Sequence, residues 1–277
     1  MDTSPSNASR CTKNPIVFFL RTIAKLSCYF VFGLATIAFS VTLLPLLLIF
    51  VHPYERFQRV CRRILHICLI CYRWYLRIVG VAKVKVSNKA ALKNARSLII
   101  AANHPSLLDS VILVSFLPCT DFIVKMSLSK RNVLSFIVNL LLTPNSIDYK
   151  EIIERTKKNF AGGGTIAVFP EGTRSLPTGQ NRFKKGAARL SLATGCPILP
   201  VHIGGNDKYG LRKGEHPWQI NPDGAYEYVF TVKDLLYPDE FAGLPEPIAA
   251  KRYTAKLRAV LADESNASWP PHPQTQA

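Results

Sequence analysis

Apolar and polar positions divide the chain into three textures. From Leu26 to Val51 the run LSCYFVFGLATIAFSVTLLPLLLIFV holds no charged residue, and it exceeds the roughly 20 apolar residues that cross a bilayer. It offers no small-residue cleavage site before HPYERF, so it reads as an uncleaved anchor rather than a signal peptide. Pro45 is compatible with a kinked span or with a re-entrant hairpin, and both readings stay open. The following stretch, PYERFQRVCRRILHICLICYRWYLRIVG, mixes Arg with Leu, Ile, Cys, Trp and Tyr at helical spacing. That is the pattern of a basic amphipathic helix lying in the headgroup layer.

From about residue 81 short apolar runs alternate with helical patterns. VAKVKV alternates as a strand, SLIIAA is a buried strand, DSVILVSFL an apolar helix and DFIVKM a strand. A helical stretch over 129–142 is followed by KEIIERTKKNF, an amphipathic helix closed by Gly162, Gly163 and Gly164, and then by the strand TIAVF. RFKKGAARLSLATG predicts a helix ending at Gly195, PILPVHI and AYEYVFTV predict strands, and EPIAAKRYTAKLRAVLADE predicts a surface helix. The alternation predicts an α/β fold: a mostly parallel central sheet flanked by helices, preceded by N-terminal membrane helices. The organisation expected is a basic segment over 1–25, an anchor plus interfacial helix over 26–80, an α/β domain over 81–265 and a flexible tail over 266–277.

Charge sharpens the membrane reading. The 277-residue chain carries 35 Lys+Arg against 18 Asp+Glu, a formal net charge of +17, and so expects an acidic partner. Arg10, Lys13, Arg21 and Lys25 precede the uncharged run, and Arg56, Arg59, Arg62, Arg63, Arg73 and Arg77 follow it. That placement favours anionic membrane lipids. No recognisable nucleic-acid-binding module accompanies the charge, so nucleic acid is not an expected partner. Seven cysteines, an odd and sparse set, point to a reducing compartment. Cys68-x-x-Cys71, with Cys61 and His66 nearby, allows a redox pair or a zinc site, but a single C-x-x-C lacks the second ligand pair of a zinc site. No metal is expected.

Chemistry collects where strands of an α/β sheet hand over to loops and helix starts, and two such handovers stand out. IIAANHPSLLD places Asn103 and His104 after a buried strand, with Pro105 at a first helical position and Asp109 inside the opening turns. His104 and Asp109 can then face each other. IAVFPEGTRS ends a second buried strand on Pro170, Glu171, Gly172, Thr173 and Arg174. Taken alone, H-x-x-x-x-D is a weak signal and a helix cap is its bland reading; EGTR is far rarer by chance, with a tight turn and surface Arg as its alternative.

Together NHPSLLD, FPEGTRS, RFKKGA and CPILPV, in this order over about residues 80 to 205, resemble the glycerolipid or lysophospholipid acyltransferase family. The resemblance implies a glycerolphosphate acyltransferase-like fold and transfer of a fatty acyl group from a thioester to a hydroxyl of a lysolipid such as 1-acylglycerol-3-phosphate. Acyl-acyl carrier protein or acyl-coenzyme A is the implied donor, with no other cofactor, and an acidic acyl carrier protein is an implied partner. The implied location is the cell (inner) membrane, with the site on its cytoplasmic face.

The chemistry fits the residues. An alcohol attacks well only as a base takes its proton, and a neutral imidazole suits that task; His104 is the candidate base. Asp109 on the other ring nitrogen holds the tautomer and stabilises the imidazolium. Ser106 reads as a cap, with a covalent acyl carrier as the alternative. The Gly172 amide is the expected oxyanion donor, since glycine permits close approach. Arg174 offers a fork for an acceptor phosphate, with Thr173, Lys184 and Lys185 in the acceptor-binding set. Glu171 is expected to position Arg174 or a substrate hydroxyl, and Asn103 to orient the His104 loop. Pro200 and Val201 are expected to wall an acyl channel, while His52, His66, His202 and His216 read as structural or surface residues.

One departure bears on the substrate. Family members acting on lysophosphatidate commonly carry a FIDR-like element whose Arg binds phosphate; here the segment reads NSIDYKE, with Tyr149 in the place of that Arg and Lys150 next. A lyso-ornithine lipid, another lysolipid or a specialised acylated metabolite therefore stands beside 1-acylglycerol-3-phosphate as acceptor. A phospholipid transacylase, or a catalytically silent lipid-binding scaffold of the same fold, completes the alternatives.

Overall fold

The structure is a computed structural model that describes residues 15–124, 141–144, 147–174, 182–216, 218–221 and 224–268. Seven strands form one sheet: β1 (Ala82–Val86), β2 (Ile99–Ala102), β3 (Thr120–Val124), β4 (Thr143–Pro144), β5 (Thr165–Val168), β6 (Ile198–Gly204) and β7 (Tyr226–Val232). Their order is β1-β7-β6-β2-β5-β3-β4. Every neighbouring pair is parallel except β6 and β7. The sheet is thus mostly parallel, as the strand and helix alternation predicts.

The helices are α1 (Pro15–Ala38), α2 (Leu44–Phe50), α3 (Tyr54–Ile78), α4 (Lys89–Asn94), α5 (Asp109–Val114), α6 (Tyr149–Ala161), α7 (Gly186–Thr194) and α8 (Glu246–Ser268). A π-helical turn, Phe39–Leu43, joins α1 to α2. The pattern over 150–160 matches α6 within one residue at each end, and Gly195 closes α7 in the left-handed conformation at φ 70°. The predicted helix over 129–142 lies outside the described residues apart from 141 and 142.

β2 shows how burial on both faces organises the molecule. All four of its residues are buried, and they alternate between two cores. Ile100 and Ala102 join Ile112, Leu113, Tyr228 and Phe230, covered by Leu69, Tyr72 and Leu76 of α3 and Cys28 of α1. Ile99 and Ala101 join Ile152 of α6, Leu190 of α7, and Tyr253 and Leu257 of α8. The fold is a three-layer sandwich, with α1 and α3 on one face and α6, α7 and α8 on the other. The helix expected on the surface at 246–264 in fact buries Ala249, Ala250, Tyr253, Leu257 and Leu261.

The N-terminal helices differ from their sequence reading. Arg21 and Lys25, expected in a separate basic segment, lie within α1. Lys25 is buried and donates to the carbonyls of Gly210 and Gln219 at 2.9 and 2.5 Å and to the Tyr226 hydroxyl at 3.1 Å. Arg21 donates to the Asn221 carbonyl at 3.0 Å. These charges hold α1 to the α/β layer. α3 likewise buries Arg62, which pairs with Asp121 of β3 at 2.9 Å and donates to the Leu141 carbonyl and Asn159. Arg73 stacks on Phe116, 4.1 Å from its ring centroid, and donates to Ser115. The basic helix therefore spends two of its arginines on the protein; Arg56, Arg59, Arg63 and Arg77 remain exposed.

Candidate active site

Three loops leave the carboxyl ends of β2, β5 and β6 and meet. Asn103, the residue after β2, donates to the Ile203 carbonyl at 2.9 Å and accepts from the Ile203 amide at 2.6 Å. This paired bond completes the ladder with a side chain and fixes the start of the His104 loop against β6. The His104 amide donates to Glu171 Oε1 at 3.1 Å, which ties the loop after β2 to the loop after β5. The Leu107 amide donates to the Leu211 carbonyl at 3.1 Å, tying the first loop to the one after β6.

The structure brings His104 and Asp109 together: Nδ1 lies 3.0 Å from Oδ2. Asp109 is wholly buried, whereas the imidazole keeps 19% of its surface exposed. The ring stacks on Phe169 at 4.2 Å between centroids with an 18° interplanar angle. With Nδ1 on the carboxylate, Nε2 is the ring nitrogen that faces away from it. The local fold producing this contact differs from the one Pro105 predicts. The helix starts at Asp109, four residues later, because residues 103–108 wrap around its carboxylate: the Ser106 amide reaches Oδ2 at 2.5 Å and the Ser106 hydroxyl reaches Oδ1 at 2.6 Å. Ser106 is fully buried and engaged with Asp109, which gives it a positioning task in place of a helix cap.

The EGTR loop makes backbone contacts that its spacing does not display. The Gly172 amide closes a turn by donating to the Phe169 carbonyl at 2.9 Å, so it is already committed and does not supply the expected oxyanion donor. Glycine is favoured here because φ is +65°; the Lys184 side chain crosses this point, its Nζ 2.7 Å from where a Cβ would lie. Glu171 accepts from the His104 backbone amide through Oε1. Arg174 Nη1 donates to the carbonyls of Leu211 and Arg212 at 3.1 and 2.9 Å, so part of its fork holds the loop after β6. Thr173 is half-buried, and Lys184 and Lys185 are exposed at the entry to α7. α7 begins only at Gly186 because the Lys184 amide donates back to the Pro170 carbonyl at 2.7 Å.

Two residues behind Asp109 escaped the sequence reading. The Tyr228 hydroxyl lies 2.7 Å from Ser106 Oγ. Lys208 Nζ lies 4.7 Å from the Tyr228 ring centroid and donates to the carbonyls of Gly204, Asn206 and Glu227. Burial pushes the Lys208 ammonium down to about 8, against the opposing pull of Asp109, Asp207 and Glu227. Burial also raises the Tyr228 hydroxyl well above its ordinary value. The alternation YEYVF puts Tyr226, Tyr228 and Phe230 on one face of β7, but nothing local names their partners.

The remaining candidates sit elsewhere. Tyr149, in the place of the family Arg, opens α6 and carries Arg189 over its ring at 4.7 Å. Arg189 is paired with Glu246 at 2.6 Å, and all three line a cavity of about 360 Å³ that includes none of the NHPSLLD or EGTR residues. His202 is buried with Nδ1 3.2 Å from the Leu261 carbonyl, and His66 meets the Val114 carbonyl at 2.8 Å. Cys68 and Cys71 are exposed and free. No group of three or more His, Cys, Asp or Glu able to hold a metal ion occurs among the described residues.

Comparison with known proteins gives this geometry relatives. A family model described as Acyltransferase matches residues 83–204. A probable 1-acyl-sn-glycerol-3-phosphate acyltransferase of Mycoplasma pneumoniae is 30% identical over 206 residues, covering 68% of this chain and 71% of that protein. One of Mycoplasma genitalium is 27% identical over 231 residues, covering 79% and 80%. The fold matches the crystal structure of the 1-acyl-sn-glycerophosphate (LPA) acyltransferase, PlsC, from Thermotoga maritima with a TM-score of 0.63 at 23% identity, over 88% of this chain and 96% of that one.

Proposed function

Because this chain belongs to the glycerolipid acyltransferase family and is an acyltransferase, we propose that it acylates a free hydroxyl of 1-acyl-sn-glycerol-3-phosphate from an acyl thioester at a membrane surface. The observation that carries the reading is the 3.0 Å contact between His104 Nδ1 and a buried Asp109, on a ring that remains open to ligand. The acceptor hydroxyl gives its proton to Nε2 as its oxygen attacks the thioester carbonyl, and Asp109 stabilises the imidazolium. The tetrahedral intermediate then expels the thiolate, which takes the proton back from the imidazolium and leaves as acyl carrier protein or coenzyme A thiol. No covalent acyl-enzyme is needed, and Ser106, whose hydroxyl is spent on Asp109, is not its carrier.

Lys184, crossing Gly172 beside the loop that binds His104, and Arg174 are the cations we assign to the acceptor phosphate, with Lys185 and Thr173 next to them. Tyr149 supports a second acceptor reading: the cation over its ring, Arg189, is paired with Glu246, so a lysolipid without a phosphate monoester, such as a lyso-ornithine lipid, is the competing substrate.

Membrane attachment follows from where apolar surface is left uncovered. Pro15–Phe50 is long and apolar enough to cross a membrane by length and composition. Of its exposed large apolar residues, Ile16, Phe19, Leu20, Ile23, Leu26, Phe30, Leu34, Ile37 and Val41 form one lengthwise stripe at helical spacing, and Phe18 lies off it. The opposite side is fastened by Lys25 and Arg21 to the α/β layer. A stripe with a fastened back is the geometry of a helix lying in one leaflet, so we read the anchor as dipping into the bilayer, with Ile67, Trp74 and Ile78 of α3 extending the contact. Since thioester carriers are cytoplasmic, that leaflet is the inner leaflet of the cell membrane.

The test is a panel assay with purified protein in anionic vesicles, offered labelled acyl-coenzyme A and acyl-acyl carrier protein with 1-acylglycerol-3-phosphate, lyso-ornithine lipid and neutral lysolipids. The reading expects the phosphate monoester to be acylated fastest. Transfer only to acceptors without phosphate would assign the site to the competing substrate, and transfer to none would remove the reading.

A further inference from the structure

The buried carboxylate of Asp109 must be met entirely by protein groups, and the chain of groups that meets it runs deeper than the motif. Oδ2 accepts from His104 Nδ1 and from the Ser106 amide, and Oδ1 lies 2.6 Å from Ser106 Oγ. An ionised carboxylate only accepts, so the Ser106 hydroxyl donates to Oδ1. That leaves Ser106 Oγ as acceptor toward Tyr228, 2.7 Å away, and makes the Tyr228 hydroxyl the donor. Lys208 sits over the face of the same ring, its ammonium buried and held by three carbonyls. We infer that Tyr228, acting through Ser106 and backed by the Lys208 charge, is a positioning residue that sets the geometry and basicity of the His104–Asp109 pair.

The polarity of the chain is consistent from end to end. A cation on the ring face favours electron density on the ring and is itself attracted there. The phenol donates to the serine, and the serine donates to the carboxylate, so each bond polarises the next. The result holds the Asp109 carboxylate oriented for Nδ1 within a core and unable to rotate away. The ionisable groups facing the pair come from three elements: Glu171 after β5 on the His104 amide, Tyr228 on β7, and Lys208 after β6. Asp207 and Glu227 face Lys208, and Tyr226 and Tyr29 of α1 face Tyr228. The contacts joining Ser106 to Tyr228 span 122 residues of sequence, which is why the motif alone does not reveal them.

The inference rests on His104 acting as base, and its test is separable from that reading. Tyr228→Phe removes one oxygen and keeps the ring. Tyr253→Phe is the matched control: Tyr253 is equally buried, and its hydroxyl donates to the Leu236 carbonyl on the other face of the sheet. In Tyr228→Phe, kcat for acyl transfer should fall about five- to thirtyfold with both KM values held, as expected for loss of one supporting hydrogen bond. The acid limb of the kcat/KM profile should move to higher pH, because Ser106, no longer polarised by the phenol, donates more weakly to Asp109, and the less stabilised carboxylate holds the imidazolium more tightly. Tyr253→Phe should leave the limb in place.

An unmoved limb in Tyr228→Phe overturns the inference whatever happens to kcat. A double-mutant cycle supplies an independent reading: if Tyr228 acts through Ser106, adding Tyr228→Phe to Ser106→Ala causes little further loss, and fully additive losses overturn the inference. An active His104→Ala would instead remove the general-base reading itself, while an inactive His104→Ala beside an unmoved Tyr228→Phe removes only the role of Tyr228.

Discussion

Asp109→Asn isolates the charge that the account places beside His104. The surrounding donors decide which way the amide would sit. Its nitrogen cannot take the Oδ2 place, where the Ser106 amide points at 2.5 Å; it takes the Oδ1 place, where Ser106 Oγ can accept while turning its own hydrogen toward Tyr228. The carbonyl then still accepts from Nδ1, so the tautomer is retained and only the charge is lost. At 3.0 Å an imidazolium and a carboxylate attract by about 5 to 6 kcal/mol at an effective dielectric of about 20. The amide dipole recovers part of that. A net loss of about 2 to 4 kcal/mol in transition-state stabilisation corresponds to a decrease of about thirty- to a thousandfold in kcat. The assay is steady-state release of free thiol from the acyl thioester, with donor and lysolipid varied separately. Retention of kcat within about threefold, or a loss confined to KM, would refute the reasoning, since the charge then contributes nothing specific to the transition state. Asp109→Ala should be worse in a second way, because it strands two buried Ser106 donors at about 1 to 3 kcal/mol each of folding stability.

Arg62→Met should destabilise the fold by about 3 to 5 kcal/mol by leaving the Asp121 carboxylate buried without its cation; adding Asp121→Asn should restore most of it, as measured by unfolding in mild detergent. Lys208 makes a prediction about alkaline stability. Its folded value is lowered to about 8 from 10.5 by burial, so the unfolded chain binds more protons between those limits, and folding gains from this group as pH rises through that window. Wild type should therefore gain relative to Lys208→Met by of the order of 3 kcal/mol between pH 8 and 10.5; a difference that falls with pH would contradict the burial of this ammonium. The apolar stripe along α1 predicts that high salt alone leaves the protein on membranes and that detergent releases it, because screening weakens charge attraction but not apolar burial; salt release would show attachment by charge only.

Local signals and distant ones fared differently, for physical reasons. β2, β5, α6 and the end of α7 at Gly195 were legible because each rests on local rules: a fully apolar run between two cores, an amphipathic period, a left-handed cap. The contact between His104 and Asp109 was legible because only four residues separate them. The helix start was misplaced because Pro105 signals a first turn, whereas the Asp109 carboxylate gathers the Ser106 amide and hydroxyl and delays the helix. The backbone contacts of Gly172, Glu171 and Arg174 were not legible, because sequence spacing does not display backbone groups. Arg62 looked like a headgroup cation until Asp121, far along the chain, appeared opposite it. Tyr228 and Lys208 carried no local mark at all: a tyrosine in an alternating strand and a lysine in a loop acquire their function only through the third dimension.

The central claim is that His104 takes the proton of the acceptor hydroxyl. Its most direct test is the rate of transfer from an acyl thioester to 1-acylglycerol-3-phosphate by purified His104→Ala in vesicles, beside wild type at equal protein and with acceptor binding measured in parallel. The account predicts that kcat falls by about a hundredfold or more while acceptor binding persists; transfer at a near-normal rate would contradict it.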